Sequence, residues 1–339
     1  MKQRLLLLER LKRAALLVLL LCVVGIGESL AQTQVATLQH GDSISVFYGT
    51  NALTAAYNAA DTCDIITLSD GTFTGVNITK AITLRGAGCV WDSTTASFPT
   101  IVSGNMSLRV LSEENFLTID GIHFPGRITC KTLNNPRFFH CNFDELDSSS
   151  ETMNQAQFVS CMFKKASLVC APNNSVINCV LWNLSSSNTM NVYNSIIRIT
   201  SDTYNMNAYN CIISNMGNGG SIYSLKGNSI TYNCIGINGY PTWPFFGGQN
   251  YGCMTVESYA DVFETFDGSA FSYLEKFLLK DEIASDFLGT DGTEVGIYGG
   301  TAPYNPRPSH MVVKHCNVAN KSTVDGKLSV EIEVYTEDE

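Results

Sequence analysis

The amino-acid sequence predicts an all-β chain coiled into a parallel β-helix, and three observations predict it. A six-residue unit recurs without gaps. Phe138-Phe139-His140-Cys141-Asn142-Phe143, Phe158-Val159-Ser160-Cys161-Met162-Phe163 and Val176-Ile177-Asn178-Cys179-Val180-Leu181 are three copies of it. Val192-Tyr193-Asn194-Ser195-Ile196-Ile197, Ala208-Tyr209-Asn210-Cys211-Ile212-Ile213 and Thr231-Tyr232-Asn233-Cys234-Ile235-Gly236 are three more. The Cys/Ser position advances from Cys141 through Cys161, Cys179, Ser195 and Cys211 to Cys234, in steps between 16 and 23 residues. Within the units no 3.6-residue period appears, only short apolar or β-branched runs followed by polar breaks. Strand units at such short steps, without helices, stack as coils in which each position forms a ladder of like side chains.

The first element is a targeting segment. Lys2, Arg4, Arg10, Lys12 and Arg13 precede the apolar run Ala14 to Ile26, and Glu28-Ser29-Leu30-Ala31 follows it. Basic start, apolar core and small-residue end are the pattern of a secretory signal peptide over residues 1–31. The core is about 13 residues, short of the roughly 20 that span a bilayer, so a retained anchor is the weaker reading. A lipid attachment at Cys22 would require a small residue where Leu21 stands. The expected location is outside the cytoplasm, in the periplasm, at the cell surface or beyond it, with no membrane span after signal removal.

Residues 32–305 are expected to form the β-helix with its caps. Asn51 to Ala60 places Leu53, Ala56, Tyr57 and Ala60 at helical spacing, with Thr50 or Asn51 available to cap it, as a helix over the first coil. Asp64–Leu68, Gly71–Phe73 and Ala81–Leu84 then enter the coils. In the repeat, strict alternation from the Cys column places two further columns inward. They are Phe139, Val159, Ile177, Tyr193, Tyr209 and Tyr232 before it, and Phe143, Phe163, Leu181, Ile197 and Ile213 after it. The Asn column, Asn178, Asn194, Asn210 and Asn233, suits a corner, because Asn tolerates the left-handed conformation and its amides can bond along a ladder. Adjacent coils set Asp144 against Lys164 and Glu145 against Lys165. Residues 306–339 form a C-terminal β tail: Pro303, Pro306 and Pro308 stiffen the connection, and Gly326–Val334 alternates as a strand that pairs near Met311–Val318.

Specific stretches carry a resemblance. Asn51-Ala-Leu-Thr-Ala-Ala-Tyr, Asp64-Ile-Ile-Thr-Leu, Gly71-Thr-Phe, Ile78-Thr-Lys80 and Ala81-Ile-Thr-Leu-Arg-Gly-Ala-Gly88 resemble the opening of pectate-lyase-like proteins, whose fold is a right-handed single-stranded parallel β-helix. Leu288-Gly-Thr-Asp-Gly-Thr-Glu-Val-Gly-Ile-Tyr-Gly-Gly300 resembles the closing coil of secreted β-helix proteins common in Bacteroidetes. The resemblance covers roughly residues 45–305. It implies the fold and an extracellular setting, but no specific activity, since that superfamily holds lyases, hydrolases, epimerases and adhesins.

Charge and composition bound the chemistry. The chain has 339 residues with 15% charged and a net charge of −10, and the targeting segment removes five basic against two acidic residues. An acidic surface excludes nucleic acid as the partner. Between Ala166 and Val256 the charged side chains are Arg198, Asp202 and Lys226, too few for a carboxylate pair or a calcium cluster. A catalytic centre therefore falls among His123, Arg127, Lys131, His140, Asp144, Glu145, Asp147, Lys164 and Lys165. Arg127, Lys131 and Lys164 are the candidates for lyase base and charge neutralisers, and Ca²⁺ would be needed only on that reading. Solvated ion pairs explain the same patch. No zinc spacing occurs, and Asp291-Gly-Thr-Glu294 reads as a turn before a metal loop.

Twelve cysteines, less Cys22, leave an odd number, and the Cys column reads as buried free thiols because parallel neighbours stand wider apart than a disulfide allows. Cys63 with Cys89 is a possible pair.

The glycan-binding candidates are Trp182, Tyr240 and Trp243, drawn from a polar, aromatic, nearly uncharged population. The leading expectation is thus an exported, monomeric, non-catalytic scaffold whose partner is a polysaccharide or surface glycan. A lyase or hydrolase using residues 123–165 and an adhesive spacer are the alternatives.

Overall fold

The computed structural model describes residues 34–91, 98–112, 114–149, 152–168, 173–186, 190–215, 223–237, 248–308, 312–318 and 330–335. The body is a parallel β-solenoid with two long sheets of twelve and thirteen strands. In the first sheet the parallel ladder runs from 65–68 through 83–85, 118–120, 137–139, 157–159, 175–177, 190–193, 206–209 and 230–232 to 249–251. The second sheet takes up each coil after a corner, with strands such as 123–134, 142–147, 180–186, 196–199 and 212–215.

The corner explains the repeat. His140, Ser160, Asn178, Asn194, Asn210 and Asn233 have φ between +45° and +56° and stand between the two sheets, with Gly121 and Gly252 in the same column at the ends. Asn suits this site because it tolerates the left-handed region better than other side chains. The next residue is the Cys/Ser, fully buried. At Cys161, Cys179, Cys211 and Cys234 its backbone N–H donates to a side chain of the neighbouring coil. Cys161 N donates to Cys179 Sγ (3.3 Å), Cys179 N to Ser195 Oγ (3.1 Å) and Cys211 N to Cys234 Sγ (3.4 Å). The column is therefore Cys or Ser, a small residue that both fills the interior and accepts a hydrogen bond. The nine cysteines from Cys63 to Cys253 whose side chains are described are free thiols, Cys63 and Cys89 among them.

That left-handed residue also overturns one expectation. Alternation placed Phe139, Val159, Ile177, Tyr193, Tyr209 and Tyr232 inward, but turning the chain at the next residue resets the parity. The buried residues are instead Phe138, Phe158, Val176, Val192, Ala208 and Thr231. The column after the corner is inward as expected, Phe143, Phe163, Leu181, Ile197 and Ile213 all being fully buried. Phe143 stacks between Phe124 (5.2 Å) and Phe163 (5.1 Å), and Phe138 stacks on Phe158 (4.9 Å).

An antiparallel hairpin (35–40 with 43–48) joins the start of the first sheet, strand 35–40 pairing with 65–68. The helix at Ala52–Ala59 buries Ala52, Leu53, Ala56 and Tyr57. Asn51 occupies its N-cap without a side-chain bond, and Lys80 Nζ closes its C-terminus on the carbonyls of Tyr57 (2.9 Å) and Ala60 (2.6 Å).

The segment after Val256 covers the second sheet. Outward residues Met162, Val180, Ile196, Ile212 and Ile235 form a second apolar cluster with Val262, Phe263, Phe266, Phe277, Val295 and Ile297. The later coils of the second sheet are thus buried on both faces, while in its earlier strands Thr72, Thr74, Arg127 and Lys131 are exposed. Residues 288–300, expected as a closing coil, form no further rung. They begin a strap that runs back along the corner column. Asn233 Nδ2 donates to Leu288 O (3.0 Å), Asn210 Oδ1 accepts from Thr290 N (2.8 Å), and Asn178 Nδ2 donates to Ile297 O and Gly299 O (both 2.8 Å). Asn305 N donates to Ser160 Oγ, Cys89 Sγ to Pro306 O, and Pro308 lies against Gly88 and Gly121. Asn178, Asn210 and Asn233 bond the strap rather than one another. Strands 312–318 and 330–335 form the expected antiparallel C-terminal hairpin.

Candidate ligand-binding face

Where the C-terminal segment covers the second sheet, the outer face of the first sheet stays open among the described residues. Two columns line it, one strand position apart on the same face, about 7 Å along the strand. One is Gln157, Ser175, Asn191, Asn207, Ile230 and Gln249; the other is Val159, Ile177, Tyr193, Tyr209, Tyr232 and Tyr251, in register from strand to strand. The four tyrosines stack with centroids 5.1, 5.0 and 4.9 Å apart and ring planes within 14°. Tyr193 is 36% and Tyr251 47% exposed. Stacking occupies most ring faces on one another, so the ladder offers solvent a row of ring edges and hydroxyls at the coil spacing. The outer face of Tyr251 ends the stack. In the neighbouring column Asn207 Nδ2 donates to Asn191 Oδ1 (3.0 Å), and Tyr251 OH donates to Gln249 Oε1 (3.0 Å). No charged residue stands in either column from Val159 to Tyr251. Chemically the face can exchange neutral hydrogen bonds at repeated intervals and shield a weakly polar chain.

Of the aromatic candidates, Trp182 is only 5% exposed. Its ring packs on Phe266, Phe271 and Tyr259 in the second cluster, with the Arg198 guanidinium 4.2 Å from its centroid. It is a core residue beneath the C-terminal segment and offers no stacking surface. Tyr240 and Trp243 lie outside the described residues.

The charged patch is an ion-pair ladder on the second sheet. Asp144 receives Tyr273 OH (2.8 Å) and lies 3.6 Å from Lys164 Nζ; Lys165 Nζ donates to Glu145 (2.8 Å). Arg127 binds Asp147 and stands 3.7 Å from Glu145. Burial pushes the Asp147 carboxyl up, but the Ser149 and Arg127 hydrogen bonds outweigh it and hold it below the usual range. His123 lies against Tyr273, and burial lowers its pKa although Asp144 opposes the shift. The three lyase candidates are not brought together. Arg127 and Lys164 are committed to carboxylates, and exposed Lys131 lies further along strand 123–134. His140 Nδ1 is paired with buried Asp120 at 2.7 Å.

Asp291 Oδ1 accepts from Thr293 N and Oγ1, the geometry of a turn. Among the described residues no group of three His, Cys, Asp or Glu is placed to hold a metal ion, and no helix is long and apolar enough to cross a membrane.

The tyrosine ladder escaped sequence reasoning although its signal was present. A left-handed Asn between the tyrosine and the Cys requires that the two point to different sides. Comparison of the chain with protein-family models, with curated proteins and with solved structures finds no match in any of the three.

Proposed function

We propose that the chain is an exported β-solenoid scaffold that binds a neutral polysaccharide along the outer face of its first sheet, without catalysis. The observation that carries this reading is the uncharged ladder of Tyr193, Tyr209, Tyr232 and Tyr251 beside Asn191, Asn207 and Gln249, on an open face of the first sheet. Tyrosine hydroxyls and amides supply paired donors and acceptors of the kind sugar hydroxyls require, and a repeat at one coil spacing suits a linear polymer. The pairing of Arg127 and Lys164 with carboxylates speaks against a lyase centre there. Kinship with pectate-lyase-like β-helix proteins, and with secreted ones of Bacteroidetes, rests on the sequence stretches given above and extends the reading no further than fold and setting.

The test is affinity electrophoresis of residues 32–339 through gels containing neutral or acidic polysaccharides, with reducing-end release measured in parallel, with and without calcium. Retardation by a neutral polymer, weakened at least tenfold by Tyr209→Ala with Tyr232→Ala and without product release, is the expected result. Retardation that the double variant leaves intact, no retardation by any polymer, or release of reducing ends overturns it.

A further inference from the structure

Among the described residues, Ser43–Tyr48 is the terminal strand of the first sheet and pairs on one side only, with 35–40. Its far side presents main-chain donors and acceptors along six residues. Edge strands of soluble proteins are usually blunted by charge, proline or a bulge, and this one has none of them. Ala36 and Leu38 mark the inward face of the hairpin, and they stand opposite Phe47 and Ser45. Ile44, Val46 and Tyr48 therefore lie on the outer face, 69%, 45% and 69% exposed.

We propose that this strand is a dimerisation edge, pairing antiparallel with the same strand of a second copy of this chain. Two features select a second copy. The apolar positions are symmetric about Val46, so a two-fold axis there sets Val46 against Val46, Ile44 against Tyr48 and Ser45 against Phe47. This is the self-complementarity an isologous contact needs. Charge gives the second argument. No Asp, Glu, Lys or Arg occurs between Asp42 and Asp61, so the hairpin's outer strand and the helix beside it carry no charge of their own on a chain of net charge −10, and the nearby Lys80 ammonium at the helix C-terminus adds no negative charge. Two like-charged acidic molecules approach best through such a surface. Pairing would join the two first sheets into one and set both outer faces on the same side. The proposal stands whether or not that face binds glycan.

A contact over one strand is small, so the dimer is expected to be concentration-dependent. Sedimentation equilibrium of residues 32–339, with Cys63→Ser to remove the exposed thiol, is expected to show a monomer–dimer equilibrium. Val46→Lys would raise its dissociation constant at least about tenfold, by setting two ammonium groups against each other. Val46→Cys, placed on the axis, is expected to give an oxidant-dependent covalent dimer, whereas Leu274→Cys, also exposed, gives none. A wild-type monomer at high micromolar concentration overturns the proposal, as does a dimer that Val46→Lys leaves unchanged. Should Val46→Lys fail to fold, absence of the Val46→Cys cross-link does the same.

Discussion

The strap along the corner column can be broken at one residue. Asn178 is 2% exposed at φ +49°, and its Nδ2 donates to the carbonyls of Ile297 and Gly299, both at 2.8 Å. Asn178→Ala takes from the buried Gly299 carbonyl its side-chain donor, at about 1–3 kcal/mol, whereas Ile297 O keeps the Tyr304 N–H at 2.7 Å. It also forces a Cβ without a compensating side chain into the left-handed region, at roughly 1–2 kcal/mol. Some of this is recovered if the strap lifts to meet water, so the expected loss is about 2 kcal/mol or more. Asn178→Gly removes the bonds but not the conformational freedom and should be about 1 kcal/mol milder. Asn194 is an internal control. It shares the column at φ +45°, yet its buried Nδ2 has no partner, so Asn194→Gly should cost much less than Asn178→Gly. Urea unfolding midpoints give the order, and hydrogen exchange over 288–305 shows whether the strap loosens before the body. Equal losses for Asn178→Gly and Asn194→Gly, with exchange unchanged, would refute the claim that the amide holds the strap.

Three further outcomes follow from the same geometry. Phe143→Ala, fully buried within a stack of phenylalanines, should cost about 3–5 kcal/mol in urea unfolding; a loss below about 1 kcal/mol would mean that the coils repack around it. Burial lowers the His123 pKa although Asp144 opposes it, so the unfolded chain binds more protons in mild acid. Stability should fall as pH drops below about 6.5 and go on falling until the lowered native value is passed. Thermal melts of His123→Gln should show a flatter profile in that window, and an unchanged profile counts against the assignment. Maleimide labelling of the native protein, read by peptide mapping, should modify Cys63 ahead of the column cysteines, and rapid labelling of Cys161 or Cys211 would contradict their burial.

The repeat was legible because stacking turns sequence periodicity into contact. The Cys/Ser column, the left-handed Asn column, the inward Phe143-to-Ile213 column and the ion pairs of Asp144 with Lys164 and Glu145 with Lys165 all follow from aligning one coil on the next. What failed to follow has two physical causes. A two-residue period holds within a strand but not across a left-handed corner, and so the tyrosine column was assigned to the wrong side. Contacts that do not repeat leave no period at all. Nothing at Leu288, Thr290 or Ile297 announces that their partners are Asn233, Asn210 and Asn178, and nothing local to Trp182 reveals that Phe266 and Phe271 will cover it.

These two causes bear on where the function lies. Apolar residues stand on both sides of the second-sheet strands, Met162 outward and Phe163 inward, Val180 outward and Leu181 inward, and the C-terminal segment is the answer to that pattern. A strand buried on one face needs only every second residue apolar. The first-sheet strands have that simpler pattern, with Val192 and Ala208 inward and Tyr193 and Tyr209 outward. The C-terminal segment thus covers the later coils of the second sheet, whereas the first sheet carries stacked aromatic rings on its outer face. Each stacked pair stabilises the sheet by about 0.5–1.5 kcal/mol, and the ring edges and hydroxyls left over are the surface on which the proposed polysaccharide reading rests.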